Sequence, residues 1–101
     1  MSHFMHDVMG ATVDEPDPET RARVLDGLAE ADDEHPDVSL SHESGWYLSA
    51  FRDGLLVWEN TEDGSAPPGE LREVAREEIL RLFGLLARGD IASVERLPWR
   101  R

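Results

Sequence analysis

"GWYLSAFRDGLLVWEN", residues 45–60, decides the fold. Aromatic and branched side chains on either side of Asp53-Gly54 predict two antiparallel strands, at 46–52 and 55–60. A two-residue type I′ turn needs positive φ at both positions, and Asp-Gly suits it. Read that way, the turn sets Arg52 opposite Leu55, Phe51 opposite Leu56, Ala50 opposite Val57 and Ser49 opposite Trp58. One face then carries Trp46, Leu48, Ala50, Leu55 and Val57, and the other carries Tyr47, Phe51, Leu56 and Trp58. Both faces are apolar, so the second one needs a cover of its own.

A third strand, at about 38–42, precedes this hairpin. A three-residue loop Glu43-Ser44-Gly45 with Gly45 left-handed puts Val38 and Leu40 on the face of Leu48 and Ala50. A two-residue Ser44-Gly45 turn would put them on the face of Phe51. The glycine's position favours the first reading.

Helices flank the strands. Asp17 is a good N-cap and Pro18 fits the first helical position, with Val24, Leu25, Leu28 and Ala31 forming the buried stripe. "DDEHPD", 32–37, ends that helix, and His35 beside Pro36 reads as a turn residue. After the polar loop "TEDGSAPPGE", 61–70, a second helix is expected near 70–88. Its apolar stripe runs through Leu71, Val74, Ala75, Ile79, Leu82, Phe83 and Leu86, and Glu77 is placed to pair with Arg81. Asp90 caps a short last helix with Ile91, Val94 and Leu97 on one side, and Trp99 folds back onto the body. The expected fold is α+β, a three-stranded antiparallel meander packed against helices in the order α-βββ-αα. Residues 17–101 make the single domain. Residues 1–16 are a flexible acidic segment, loosely held unless it docks.

The chain has 101 residues, no cysteine and a formal charge of −12. Residues 1–43 hold 12 acids against 2 arginines and residues 44–101 hold 10 against 8, so the acidity is concentrated in the first part. Such a balance argues against binding nucleic acid or an anionic membrane. No apolar run approaches the ~20 residues of a spanning helix, and the N-terminus does not resemble a secretion signal, so a cytoplasmic location is expected.

Motifs for chemistry are sparse. His3, His6 and Asp7 have metal-compatible spacing only on a helix. His42 and Glu43 are adjacent strand residues and point to opposite faces. Ser39, Ser41 and Ser49 lack a nucleophile turn, and the glycines form no phosphate loop. No catalytic residue, metal or cofactor is expected. The remaining candidates are for partner binding: the aromatic face Tyr47, Phe51, Leu56 and Trp58, and the acids Asp32, Asp33 and Glu34.

"HPDVSLSHESGWYLSAFRDGLLVWEN" together with "GLLARGDIASVERLPW" resembles small proteins of high-GC, actinobacterial-type bacteria. Those are similar in their GW-strand, turn, WEN-strand and a tail that here is Leu86, Gly89, Asp90, Pro98 and Trp99. The resemblance spans roughly residues 35–99. It implies an immunity partner of a bacterial toxin and supplies no catalytic residues. The expected function is therefore a non-enzymatic protein-binding domain, an immunity-type inhibitor of a basic toxin or effector. The alternatives are an acidic DNA mimic that titrates a nucleic-acid-binding protein, and a self-associating homodimer.

Overall fold

A computed structural model describes residues 2–34, 36–62 and 67–101. Its elements are β1 (His3–His6), β2 (Thr12–Asp14), α1 (Pro18–Asp26), a 3-10 turn (Gly27–Glu30), β3 (Asp37–His42), β4 (Trp46–Phe51), β5 (Leu56–Asn60), β6 (Gly69–Leu71), α2 (Arg76–Ala87) and α3 (Ile91–Glu95). The six strands form one antiparallel sheet in the order β2-β1-β3-β4-β5-β6. The class is α+β with three helices, but the three-stranded meander is wrong: the sheet gains a hairpin on one side and an edge strand on the other.

The corner between β4 and β5 turns over three residues. Phe51 N–H donates to the Leu55 carbonyl at 2.9 Å and Gly54 N–H donates to the Phe51 carbonyl at 3.1 Å. Only Gly54 is left-handed there, at φ +85°. A type I′ turn would also force Asp53 into that region, which costs a residue with a Cβ about 1–2 kcal/mol. The longer corner needs one left-handed residue and has a glycine at that position. Leu48 therefore faces Trp58, Ser49 faces Val57 and Ala50 faces Leu56. This register is one residue away from the two-residue reading, so every side chain of β5 changes face relative to β4. The first hairpin has the loop that its glycine position favoured: Gly45 has φ +92°, and Val38 and Leu40 lie opposite Ala50 and Leu48.

The segment expected to be loose unless it docks does dock. Asp7 accepts the backbone N–H groups of Met9 and Ala11 at 3.0 and 2.9 Å, closing a hairpin between β1 and β2. β1 then pairs with β3, and Met5 is completely buried opposite Leu40. At the other side, Gly69–Leu71 joins β5, and a bridge from Glu70 to Arg100 covers its outer edge. The helix expected to begin near residue 70 thus starts at Arg76. Leu71 belongs to a strand, and Glu73 takes a left-handed φ of 56° that no helix tolerates. Of the loop 61–70, residues 63–66 lie outside the described residues, as does His35.

All three helices pack on one face of the sheet. Met5, Val38, Leu40, Leu48, Ala50, Leu56 and Trp58 from the sheet form one core with Val24, Leu25, Leu28, Ile79, Leu82, Phe83, Leu86 and Val94 from the helical layer. Burying each of the larger side chains contributes about 1.5–3 kcal/mol. Helix ends follow the sequence closely. Asp17 accepts Thr20 N–H at 2.8 Å with Pro18 in the first turn, and Asp90 accepts Ser93 N–H at 3.3 Å and Ser93 Oγ–H at 2.8 Å. Arg81 pairs with Glu78, three residues before it, rather than with Glu77, four residues before it.

The caps give a prediction with a pH signature. The bond from Thr20 N–H holds the Asp17 carboxyl below its ordinary range, and the bond with Ser93 does the same for Asp90. A lowered carboxyl stabilises the fold above the ordinary Asp pKa of about 4 and loses that contribution as pH falls through the folded-state value. Asp17→Ala is expected to lower Tm by about 4–8 °C at pH 7. In calorimetry the gap between the two proteins should close progressively below about pH 4.

Candidate functional site

The observed register separates the four aromatic-face residues. Leu56 and Trp58 have no exposure and belong to the core, while Tyr47 and Phe51 are half-buried on the opposite side. The expected single surface of Tyr47, Phe51, Leu56 and Trp58 therefore does not exist. The change of partner opposite Trp58, from Ser49 to Leu48, accounts for the loss.

On the helical side the three tryptophans stack in series. Trp46 lies 4.5 Å from Trp58 with ring planes 9° apart, and Trp58 lies 5.9 Å from Trp99 at 14°. Trp58 Nε1–H donates to Glu95 Oε2 at 2.7 Å, Arg101 Nη2 donates to Glu95 Oε1 at 2.6 Å, and Trp99 Nε1–H donates to the Val94 carbonyl at 2.8 Å. The two buried indoles, Trp58 and Trp99, each have an acceptor and are satisfied core, with the half-buried Trp46 packed against them.

Among the described residues, no helix covers the other side of the sheet. Pairing across the strands lays out its rows. Asp14, Phe4, Ser41, Tyr47 and Glu59 form one row; Thr12, His6, Ser39, Ser49, Val57 and Glu70 form the next; Asp37 and Phe51 begin a third. None of Phe4, Tyr47, Phe51 or Val57 packs into the core. Phe4 and His6 meet edge to face at 5.3 Å. The centre is floored by Ser39, Ser41 and Ser49, so rings stand on both sides of a strip of small side chains.

The charge of this face is one-sided. Strands β1 to β5 place Asp14, Asp37 and Glu59 there and no arginine. Arg100 appears only at the edge, beside Glu70. Tyr47 lies opposite Glu59. Partial burial, then its hydrogen bond to the Glu59 carboxylate and the charges of Glu59 and Asp37, push the Tyr47 phenol above its ordinary range. The phenol therefore stays protonated and donates to Glu59 throughout the neutral range.

Asp32, Asp33 and Glu34 are exposed on the connection into β3. Asp32 and Asp33 line a shallow groove of about 570 Å³ together with Pro36, Phe51 and Arg52. Two of the three acids thus share a groove with Phe51, which joins the acidic patch to the margin of the open face. Arg52 donates to the Ala31 carbonyl at 3.3 Å across the same groove.

The other chemical candidates resolve locally. Because residues 3–6 form a strand, His3 points to the helical side and His6 to the open side, so the His3, His6, Asp7 grouping is not assembled. Ser44 N–H and Oγ both lie on His42 Nδ1, at 3.1 and 2.8 Å, within one turn. No third group orients the imidazole through Nε2 among the described residues. No helix among the described residues is long and apolar enough to cross a membrane.

Sequence reasoning missed Phe4, His6, Val57 and Glu59. The first two were legible in principle: Asp7 and Gly10 punctuate "HFMH" and "ATVD", a hairpin pattern with short arms. The others followed from the register and were lost with it. Comparison with protein-family models, curated proteins and solved structures returns no match.

Proposed function

We propose that this chain acts by binding, docking the open face of its sheet onto a basic protein surface. The observation that carries the reading is the uncovered face itself, with Phe4, Tyr47 and Phe51 set among Asp14, Asp37 and Glu59 and without an arginine in β1 to β5. Aromatic rings supply contact energy at interfaces, and complementary charge supplies steering and specificity. A net charge of −12 favours fast encounter with a positive cleft. An immunity-type inhibitor that fills the substrate cleft of a toxin acting on nucleic acid fits both properties. Self-association through the same face is disfavoured, because it would bring two sets of carboxylates together.

The test is capture with the wild-type chain and a Tyr47→Ala/Glu59→Arg double variant, followed by titration of the captured protein. The expected partner is basic, binds with an affinity that falls as salt rises, and binds the double variant at least about 100-fold more weakly. Neutralising Asp32, Asp33 and Glu34 to Asn, Asn and Gln should slow association several-fold and leave the complex intact. Full loss of binding on that change with no effect of the double variant would move the site to the acidic connection, as a DNA mimic requires. Equal binding by all three proteins would refute the docking face.

A further inference from the structure

We infer that the outer edge of β2 takes an extended, basic segment of a second protein as an added strand of the sheet. The edge is open by its hydrogen-bond pattern. Asp7 N–H donates to the Ala11 carbonyl and Glu15 N–H to the His3 carbonyl, both at 3.0 Å, so Asp7–Ala11 and His3–Glu15 are hydrogen-bonded pairs. Pairs alternate along an antiparallel ladder, which makes Met5–Val13 hydrogen-bonded and leaves His6–Thr12 and Phe4–Asp14 non-hydrogen-bonded. The amides and carbonyls of Thr12 and Asp14 therefore point away from β1, and both residues are exposed. Among the described residues, no strand lies beyond β2. The opposite edge of the sheet is closed by the chain itself, where Glu70 and Arg100 exchange bonds of 2.9 and 3.0 Å. An open edge of this kind is a template for strand addition.

The surroundings define what fits. Val13 shares the side of Met5 and packs against the core. On that side a groove of about 360 Å³ lies between β2 and α1, with Val8, Val13, Val24 and Gly27 along it and Thr20 and Arg23 beside them. A strand added antiparallel bonds to Thr12 and Asp14 through two residues and sets the residue between them opposite Val13. That middle side chain enters the groove, which suits valine or isoleucine. The two flanking side chains stand on the other side of the sheet, beside Thr12 and Asp14.

Charge selects those flanking residues. Residues 7–23 carry five acids and two arginines, and the Arg21 guanidinium is held on the Pro16 carbonyl at 2.8 Å. Lysine or arginine is therefore favoured next to Asp14. The same acidity disfavours a second copy, because antiparallel pairing about Val13 would bring two such segments together. The edge bonds through its backbone and without Tyr47 or Phe51, so the inference stands apart from the docking face proposed above.

Selection of a random peptide library displayed on phage against the full chain tests the proposal. Enriched sequences should alternate arginine or lysine with valine or isoleucine. A synthetic peptide of the enriched sequence should bind with an affinity that falls as salt rises. Thr12→Pro should weaken it by at least about tenfold, because proline removes an outward amide and blocks the edge. Thr12 is the first residue of β2 and its N–H makes no bond to β1, so the hairpin should keep its ladder and its Tm. Should the Tm of that variant fall, amide exchange in the wild type gives the same information, because saturating peptide must slow exchange at Thr12 and Asp14. No enrichment, enrichment of acidic or non-alternating sequences, equal affinity for the proline variant, or unchanged exchange at both amides would each overturn the assignment. A wild-type dimer in sedimentation that Thr12→Pro dissociates would give the edge to a second copy and overturn it equally. None of these results bears on the docking face, which is read through Tyr47 and Glu59.

Discussion

Replacing Trp58 with alanine is expected to destabilise the protein by about 3–5 kcal/mol, the range for deleting a buried Trp or Phe from a close-packed core. The indole is completely buried between Trp46 and Trp99, so its removal opens a cavity inside a stack with little room to collapse. Glu95 would lose the indole N–H and keep only Arg101. A domain of this size has about 5–15 kcal/mol in total, so the variant should approach its threshold, with Tm lower by at least about 15 °C. Tyr47→Ala supplies the contrast. Its ring is half-buried on the open face and outside the core, so about 1 kcal/mol or less is expected. Thermal unfolding of the two variants side by side measures both. If the two effects were equal, Trp58 would not be the interior residue described above.

Gly54→Ala is expected to cost about 2–5 kcal/mol, through two separable causes. The first is the left-handed backbone at φ +85°, which costs any residue with a Cβ about 1–2 kcal/mol. The second is space. An added Cβ would meet Val74 N at 3.0 Å, Glu73 Cα at 3.2 Å and the Val74 carbonyl oxygen at 3.2 Å, all backbone atoms that cannot rotate away. Overpacking of that kind adds about 1–3 kcal/mol. It would also disturb the bond from Val74 N–H to the Gly54 carbonyl at 3.0 Å, which ties the corner to the lead-in of α2. Gly10→Ala isolates the first cause, because Gly10 has φ +83° and nothing within 4 Å of its added Cβ. Denaturant unfolding should therefore show Gly54→Ala to be the more damaging by at least about 1 kcal/mol. Equal costs would mean that the corner does not pack against residues 73 and 74.

Much of the architecture is legible in the chain because it rests on local chemistry. Asp17-Pro18 and Asp90 mark helix starts by the bonds their carboxylates accept, and the periodic Ile79, Leu82, Phe83 and Leu86 mark a buried face. Gly45 marks the first corner for the same reason. The errors come where two local solutions are nearly equal in energy. Asp53-Gly54 satisfies a two-residue corner and a three-residue corner alike, and tertiary packing decides between them. The longer corner puts Leu56 and Trp58 with Leu48 and Ala50, and leaves Val57 and Glu59 on the open face, where the small Ser49 is buried among its neighbours. The hydrophobic pattern favours that outcome, since it resolves the paradox of two apolar faces that the shorter corner creates. β1, β2 and β6 have three or four residues each, and their stability comes from neighbours distant in sequence. Their signals are correspondingly faint. The site was only partly legible for the same reason: Tyr47 and Phe51 belong to it, Leu56 and Trp58 do not, and Phe4 reaches it only through a hairpin held by long-range pairing.

The assignment of Trp58 to the interior and of Tyr47 to the open face follows from the pairing of β4 with β5, and nuclear Overhauser effects between backbone Hα protons read that pairing directly. In the three-residue corner, Leu48–Trp58 and Ala50–Leu56 are the non-hydrogen-bonded pairs, whose Hα protons face each other at short range. Strong Hα–Hα effects are predicted for those two pairs. Strong effects for Ser49–Trp58 and Phe51–Leu56 instead would restore the two-residue corner, return Trp58 to the side of Tyr47, and contradict the account.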